Sequence, residues 1–118
     1  MLTREEKERT ALLQGTLDLL ILRILMFGPQ HGQGVARAIQ EQSDDVLLVD
    51  HGALYPALQR LEANGWIAAK WGVSSNNRKA RFYSLTKSGK KQLVEETGHW
   101  RRLAGAIARV LGPEEQEG

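Results

Sequence analysis

Asp50-His51-Gly52-Ala53-Leu54-Tyr55-Pro56-Ala57-Leu58-Gln59-Arg60-Leu61-Glu62, followed by Asn64-Gly65 and then by Trp66 to Val73, decides the fold. The first run reads as a short helix. Asp50 stands at its N-cap, where a carboxylate accepts from the free amides of the first turn. Asn64-Gly65 ends it, and Trp66–Val73 and Arg81–Leu85 read as two strands around the polar turn Ser74-Ser75-Asn76-Asn77-Arg78-Lys79. A helix followed by a β-hairpin with a basic tip is the layout of a winged helix, which sets the helix in the DNA major groove and the hairpin over the adjacent backbone. The expected fold class is α+β, mostly helical: a winged helix-turn-helix with an N-terminal helical extension and one long C-terminal helix.

At 100° per residue, Leu54, Leu58 and Leu61 fall within about 60° of one another and form the inner seam of the first run. Gly52, Pro56, Gln59 and Arg60 face away from that seam, and Tyr55 lies at its edge. Pro56 sits past the first helical position and removes the donor for the Gly52 carbonyl, which predicts a distorted first turn. Gln59 and Arg60 have the donors and acceptors that read guanine and adenine edges, although any surface helix also carries polar residues. Tyr55 fits a packing role as well as a phosphate contact.

The charge is concentrated in the same third of the chain. Between 50 and 91 stand eight basic residues (Arg60, Lys70, Arg78, Lys79, Arg81, Lys87, Lys90, Lys91) against Asp50 and Glu62, in a chain whose net charge is +2. The flanking segments are each slightly acidic. A local positive field of this kind serves counterion release from a phosphate backbone. Arg78, Lys79 and Arg81 are the wing cations placed to do it; charged hairpin edges also prevent sheet-to-sheet association.

Outward from this core motif, the 118 residues are expected to form one domain: a winged helix over about 12–86, a dimerisation helix over 87–111 and an acidic tail over 112–118. Thr3-Arg4-Glu5-Glu6 matches a capping box and predicts a helix start at Arg4. Leu17 to Phe27 is apolar nearly all round, so one face packs on its own domain and the other needs a partner. Gly28-Pro29 stops it. A helix from His31 to Gln42 follows, with Val35, Ala36 and Ile39 inward, then a buried connector, Val46–Val49. In the last helix Leu93, Thr97, Trp100, Ala104, Ile107 and Leu111 recur at heptad spacing. With Leu19, Leu22 and Met26 of the Leu/Ile-rich helix, they form the predicted homodimer seam. Trp100 fits two roles there, a core anchor or one plate of a planar ligand site. Trp66 and Trp71 are expected to pack the hairpin on the core.

Other chemistry finds no support. There is no cysteine, which suits a reducing cytoplasm and excludes thiolate metal sites and thiol nucleophiles. His31, His51 and His99 lack metal-ligand spacing. No phosphate loop or nucleophile motif is present. No cofactor is expected, and no enzyme. The charged start is not a signal peptide, and the longest apolar run is too short to span a membrane.

Four stretches together resemble the PadR family of bacterial transcriptional regulators: Gln14-Gly15-Thr16-Leu17-Asp18-Leu19-Leu20-Ile21-Leu22, Gly28-Pro29-Gln30-His31-Gly32-Gln33-Gly34, Gly52 to Glu62, and Arg81-Phe82-Tyr83-Ser84-Leu85-Thr86-Lys87-Ser88-Gly89. The single helix after the hairpin resembles the short subfamily. The resemblance implies a dimeric winged-helix repressor on a palindromic operator in double-stranded DNA, joined through its first and last helices. It also implies a flat aromatic ligand between paired tryptophans at the position of Trp100. Two residues depart from the pattern: Gln33 replaces a usual Tyr, and Ala53 a usual Thr or Ser. Gln33 can still touch phosphate, but the hydroxyl at Ala53 is lost. A winged-helix protein-interaction module that meets an acidic partner is the alternative function.

Overall fold

In the computed structural model, which describes residues 14–114, the elements run α1 (Gln14–Leu25), β1 (Gln30–His31), α2 (Gly32–Gln42), α3 (His51–Ala63), β2 (Ile67–Val73), β3 (Lys79–Leu85) and α4 (Lys87–Leu111). The three strands form an antiparallel sheet in the order β1-β3-β2. This is the winged-helix arrangement expected, with one element more: β1, two residues that pair Gln30 with Tyr83 and His31 with Phe82. The capping box at Thr3–Glu6 and most of the acidic tail lie outside the described residues.

The core gathers on α1, which packs against α2, α3 and α4. Leu17, Ile21, Leu22, Ile24 and Leu25 are buried, and they meet Val35 and Ile39 of α2, Leu54, Ala57, Leu58 and Leu61 of α3, Ile67 and Tyr83 of the hairpin, and Leu93 of α4. The expected dimer seam therefore needs correction at two positions. Leu22 is fully buried and Leu93 nearly so. Both belong to the core of the single chain, because α1 is central and α4 begins by crossing it. The connector is also corrected: Leu47 and Val49 pack against the core, but Val46 is exposed. It directly follows Asp44 and Asp45, whose positive φ values turn the chain outward after α2.

Asp50 caps α3 as expected, its Oδ1 accepting from the Gly52 amide at 3.2 Å. Pro56 does not interrupt the helix, which runs continuously from His51 to Ala63. The deletion of one hydrogen bond on the exposed side is tolerated because four residues on the opposite side are buried.

The Leu85-Thr86-Lys87-Ser88-Gly89 stretch fixes the hairpin relative to α3. The Thr86 hydroxyl donates to the Gly65 carbonyl at 2.7 Å, while the Gly89 amide donates to the Thr86 hydroxyl at 3.0 Å. Ser88 donates to the same Gly65 carbonyl at 2.9 Å. A β-carbon at Gly89 would collide with the Trp66 carbonyl, so only glycine admits this close crossing. The α3–β2 turn, the foot of the wing and the start of α4 are thus tied at one point.

Candidate nucleic-acid interface

The face of α3 opposite its core seam stands open. His51, Gly52, Tyr55, Pro56 and Gln59 are all exposed, spaced as successive turns of one helical side. The start of α2 lies close beside it: a β-carbon on Gly32 would sit 3.1 Å from the Tyr55 ring. Gly32 therefore lets α2 approach the open face of α3, and Gln33 and Tyr55 border one groove. At Gly34 a β-carbon would run into the Gln30 side chain of β1, so glycine there leaves room for that side chain.

The wing completes the surface. Ser74 and Arg78 close its tip, the Ser74 amide donating to the Arg78 carbonyl at 2.8 Å, and Asn77 adopts the left-handed conformation with φ 59°. Between wing and helices runs a groove of about 430 Å³, and six of the predicted contact residues line it: Gln33, Tyr55, Gln59, Arg78, Lys79 and Arg81. Gly52 and Pro56 lie on the same open face of α3, outside the groove.

Arg60 is placed elsewhere. Its Nη2 donates to Asp18 Oδ1 of α1 at 2.9 Å, and the two side chains are 35% and 16% exposed. The pair ties α3 to α1 rather than presenting a guanidinium to the groove. Arg60 lies off the core seam as its helical angle predicts, but on the side that faces α1, and its long side chain follows the carboxylate there. Burial pushes the Asp18 carboxyl above its ordinary value, against the lowering effect of Arg60; the charge of Glu96 pushes it further up. Arg60 Nε is buried without a hydrogen-bond partner among the described residues, which weighs against the pair as a source of stability.

The three wing cations differ. Arg81 bonds Glu62 at 2.9 Å and lies over the Tyr83 ring, 5.8 Å from its centroid. Arg78 and Lys79 have no salt bridge among the described residues; Lys79 instead sits 5.1 Å from the centroid of the Trp71 ring. Trp71 corrects the expectation that it packs on the core: it is 60% exposed and lines the groove. Trp66 does pack against the core. The strand period could have located Trp71 on the α3 side of the sheet, but only the depth of the core reveals that this position lies past its edge.

Residues 21–95 match the model of the PadR-like family of transcriptional regulators. The chain belongs to that family. A solved PadR-like transcriptional regulator from Bacillus cereus is similar at TM-score 0.72 and 25% identity, over 86% of this chain and 97% of that one. An uncharacterised protein of Lysinibacillus sphaericus is 29% identical over 99 residues, 84% of this chain and 91% of that protein. The negative transcriptional regulator PadR of Bacillus subtilis is 27% identical over 77 residues, and the matched part is 65% of this chain and 42% of the relative. This PadR-like chain is a transcriptional regulator, and the family is not one of enzymes. No described helix is long and apolar enough to cross a membrane.

The remaining predicted residues of this PadR-like protein lie on α1 and α4. After Leu93, α4 leaves the core. Trp100 is 47%, Ile107 51% and Leu111 77% exposed, whereas Thr97 and Ala104 are half-buried. Leu103, absent from the predicted seam, is 50% exposed and belongs with them. Trp100, Leu103, Ala104, Ile107 and Leu111 line one shallow apolar groove of about 320 Å³. Trp100 and Leu103 also border a second groove, of about 430 Å³, with Leu19, Asp18 and Glu96. Met26, expected on the helix, is exposed in the turn that follows α1, which ends at Leu25. The seam predicted by spacing thus divides into an uncovered part and a part that the chain covers itself.

Proposed function

We propose that this regulator binds double-stranded DNA as a homodimer and represses transcription from a palindromic operator. The observation that carries the reading is the single open surface shared by the outward face of α3, Gln33 and the wing, with Arg78 and Lys79 free of acidic partners among the described residues. Gln59 is the base-reading candidate. Arg78 and Lys79 are backbone contacts, with Arg81 held between Glu62 and the groove. Gly52, Tyr55 and Pro56 supply the contour of α3 against the strand. Repression is supported by the Bacillus subtilis relative, which is a negative regulator.

Dimerisation is supported by the apolar strip of α4, which the described residues leave in water. Leu19, Met26, Thr97, Trp100, Ala104, Ile107 and Leu111 form the interface, with Leu103 added. A planar aromatic ligand between the Trp100 rings of the two protomers would relieve repression by binding the DNA-free geometry better than the bound one. Quenching of tryptophan emission by planar dyes, lost in Trp100→Ala, tests that part. The reading implies a cytoplasmic protein, in the compartment of its DNA.

A gel shift with the DNA upstream of its own gene tests the reading as a whole. A retarded band that resists competition by mixed-sequence DNA supports it. No shift at low salt returns the fold to the protein-interaction alternative.

A further inference from the structure

Strand register places Trp71 on the sheet face whose first pairs, Ile67 with Leu85 and Ala69 with Tyr83, pack in or against the core. On the face that carries Ile67 opposite Leu85, the next pairs are Ala69 with Tyr83, Trp71 with Arg81, and Val73 with Lys79. Ile67 and Tyr83 are buried, and the face then runs out past the core. Trp71 is the first large side chain beyond it. It is held out in water at 60% exposure, in the groove that also contains Tyr55 and Gln59. Its position is built rather than accidental. Gly72 lies against Phe82, 2.9 Å from where its β-carbon would be, so the strand runs close over that ring on the opposite face. Phe82 in turn stacks on His31 of β1 at 5.5 Å. Lys79 lies beside the Trp71 ring. An indole next to a cation with no salt bridge among the described residues presents apolar area and positive charge together. The alternating deoxyribose and phosphate of a DNA strand offer the matching pair of surfaces.

We propose that Trp71 is a DNA-contacting residue of the wing, packing its indole on the deoxyribose of the strand whose phosphates Arg78 and Lys79 neutralise. This rests on the DNA-binding reading above and adds to it a salt-independent, sequence-independent contact. An apolar contact releases no counterions, so it changes affinity without changing the salt slope. Affinity of the full chain for a short mixed-sequence duplex is measured over a range of salt concentrations, for the unmodified protein, Trp71→Ala, Trp71→Phe and Lys79→Ala. Trp71→Ala should weaken binding roughly tenfold at every salt concentration, with the slope unchanged. Trp71→Phe, which keeps a flat ring, should recover most of the loss. Lys79→Ala should flatten the slope instead. Melting temperature checks that the Trp71 variants stay folded, as expected for an exposed side chain. Unchanged affinity in a folded Trp71→Ala overturns the proposal and leaves DNA binding intact. So does a loss that appears only as a flatter slope, because Trp71 would then act by positioning Lys79. If the unmodified protein binds no duplex, both readings fail together.

Discussion

At the wing tip the uncovered side chains are Arg78 and Lys79, with Trp71 beside them; on the far half of α4 they are Trp100, Leu103, Ile107, Val110 and Leu111. Both regions extend away from the same core, and neither is covered by the described residues. Their chemistry differs. Charge in water is comfortable and exchanges counterions with a polyanion. An apolar strip in water is not comfortable, and burial against a like surface is its simplest relief. One chain therefore presents two incomplete surfaces with different complements, a nucleic acid for the wing and a second copy for α4.

Damage to the two regions should differ in kind as well as in size. Ile107→Asp with Leu111→Asp should have the largest effect, giving monomers by sedimentation and lowering operator affinity by orders of magnitude, since a palindrome is read by two copies. A variant that remains dimeric would move the interface off α4. Arg78→Ala with Lys79→Ala should leave the dimer intact and reduce the slope of log affinity against log salt by about 2. Gln59→Ala should cost about 1–3 kcal/mol on the specific site and little on mixed-sequence DNA. Arg60→Ala should leave base discrimination unchanged and lower thermal stability by no more than about 1 kcal/mol, the pair being partly exposed. If Arg60→Ala instead relaxed sequence preference with stability unchanged, Arg60 would leave Asp18 when DNA binds.

The smallest effect concerns pH. Burial raises the folded-state pKa of Asp18 above its ordinary 3.8, so the folded chain holds that proton more tightly than the unfolded chain. The resulting stabilisation is full below 3.8 and is lost as pH rises through the raised value. Asp18→Asn should remove that part of the pH dependence, seen in melts at successive acidic pH values. An identical profile in the variant would assign the dependence to other groups.

The helix and hairpin were legible because their signals are local: the Asp50 cap, the Leu54–Leu58–Leu61 seam, the Asn64-Gly65 stop and the Asn-rich turn. The two-residue β1 was not, since Gln30 and His31 have no strand pattern and become a strand only by lying against β3. Among the site residues, the outward face of α3 followed from helical angle alone. Arg60 did not, because its destination depends on Asp18, 42 positions away in sequence. Leu93 fits the heptad spacing and Leu22 the apolar surface of α1, yet neither pattern says where one chain's core ends. The same ignorance of core depth hid the exposure of Trp71.

The central claim is that the α3 and wing surface meets a DNA backbone. Titration of the unmodified protein with DNA from upstream of its own gene, repeated from low to physiological salt, tests it most directly. Tight binding at low salt is expected, with a log–log slope that is steep and negative and is reduced in the Arg78→Ala, Lys79→Ala variant. Binding that is absent at low salt, or that does not change with salt, would contradict it.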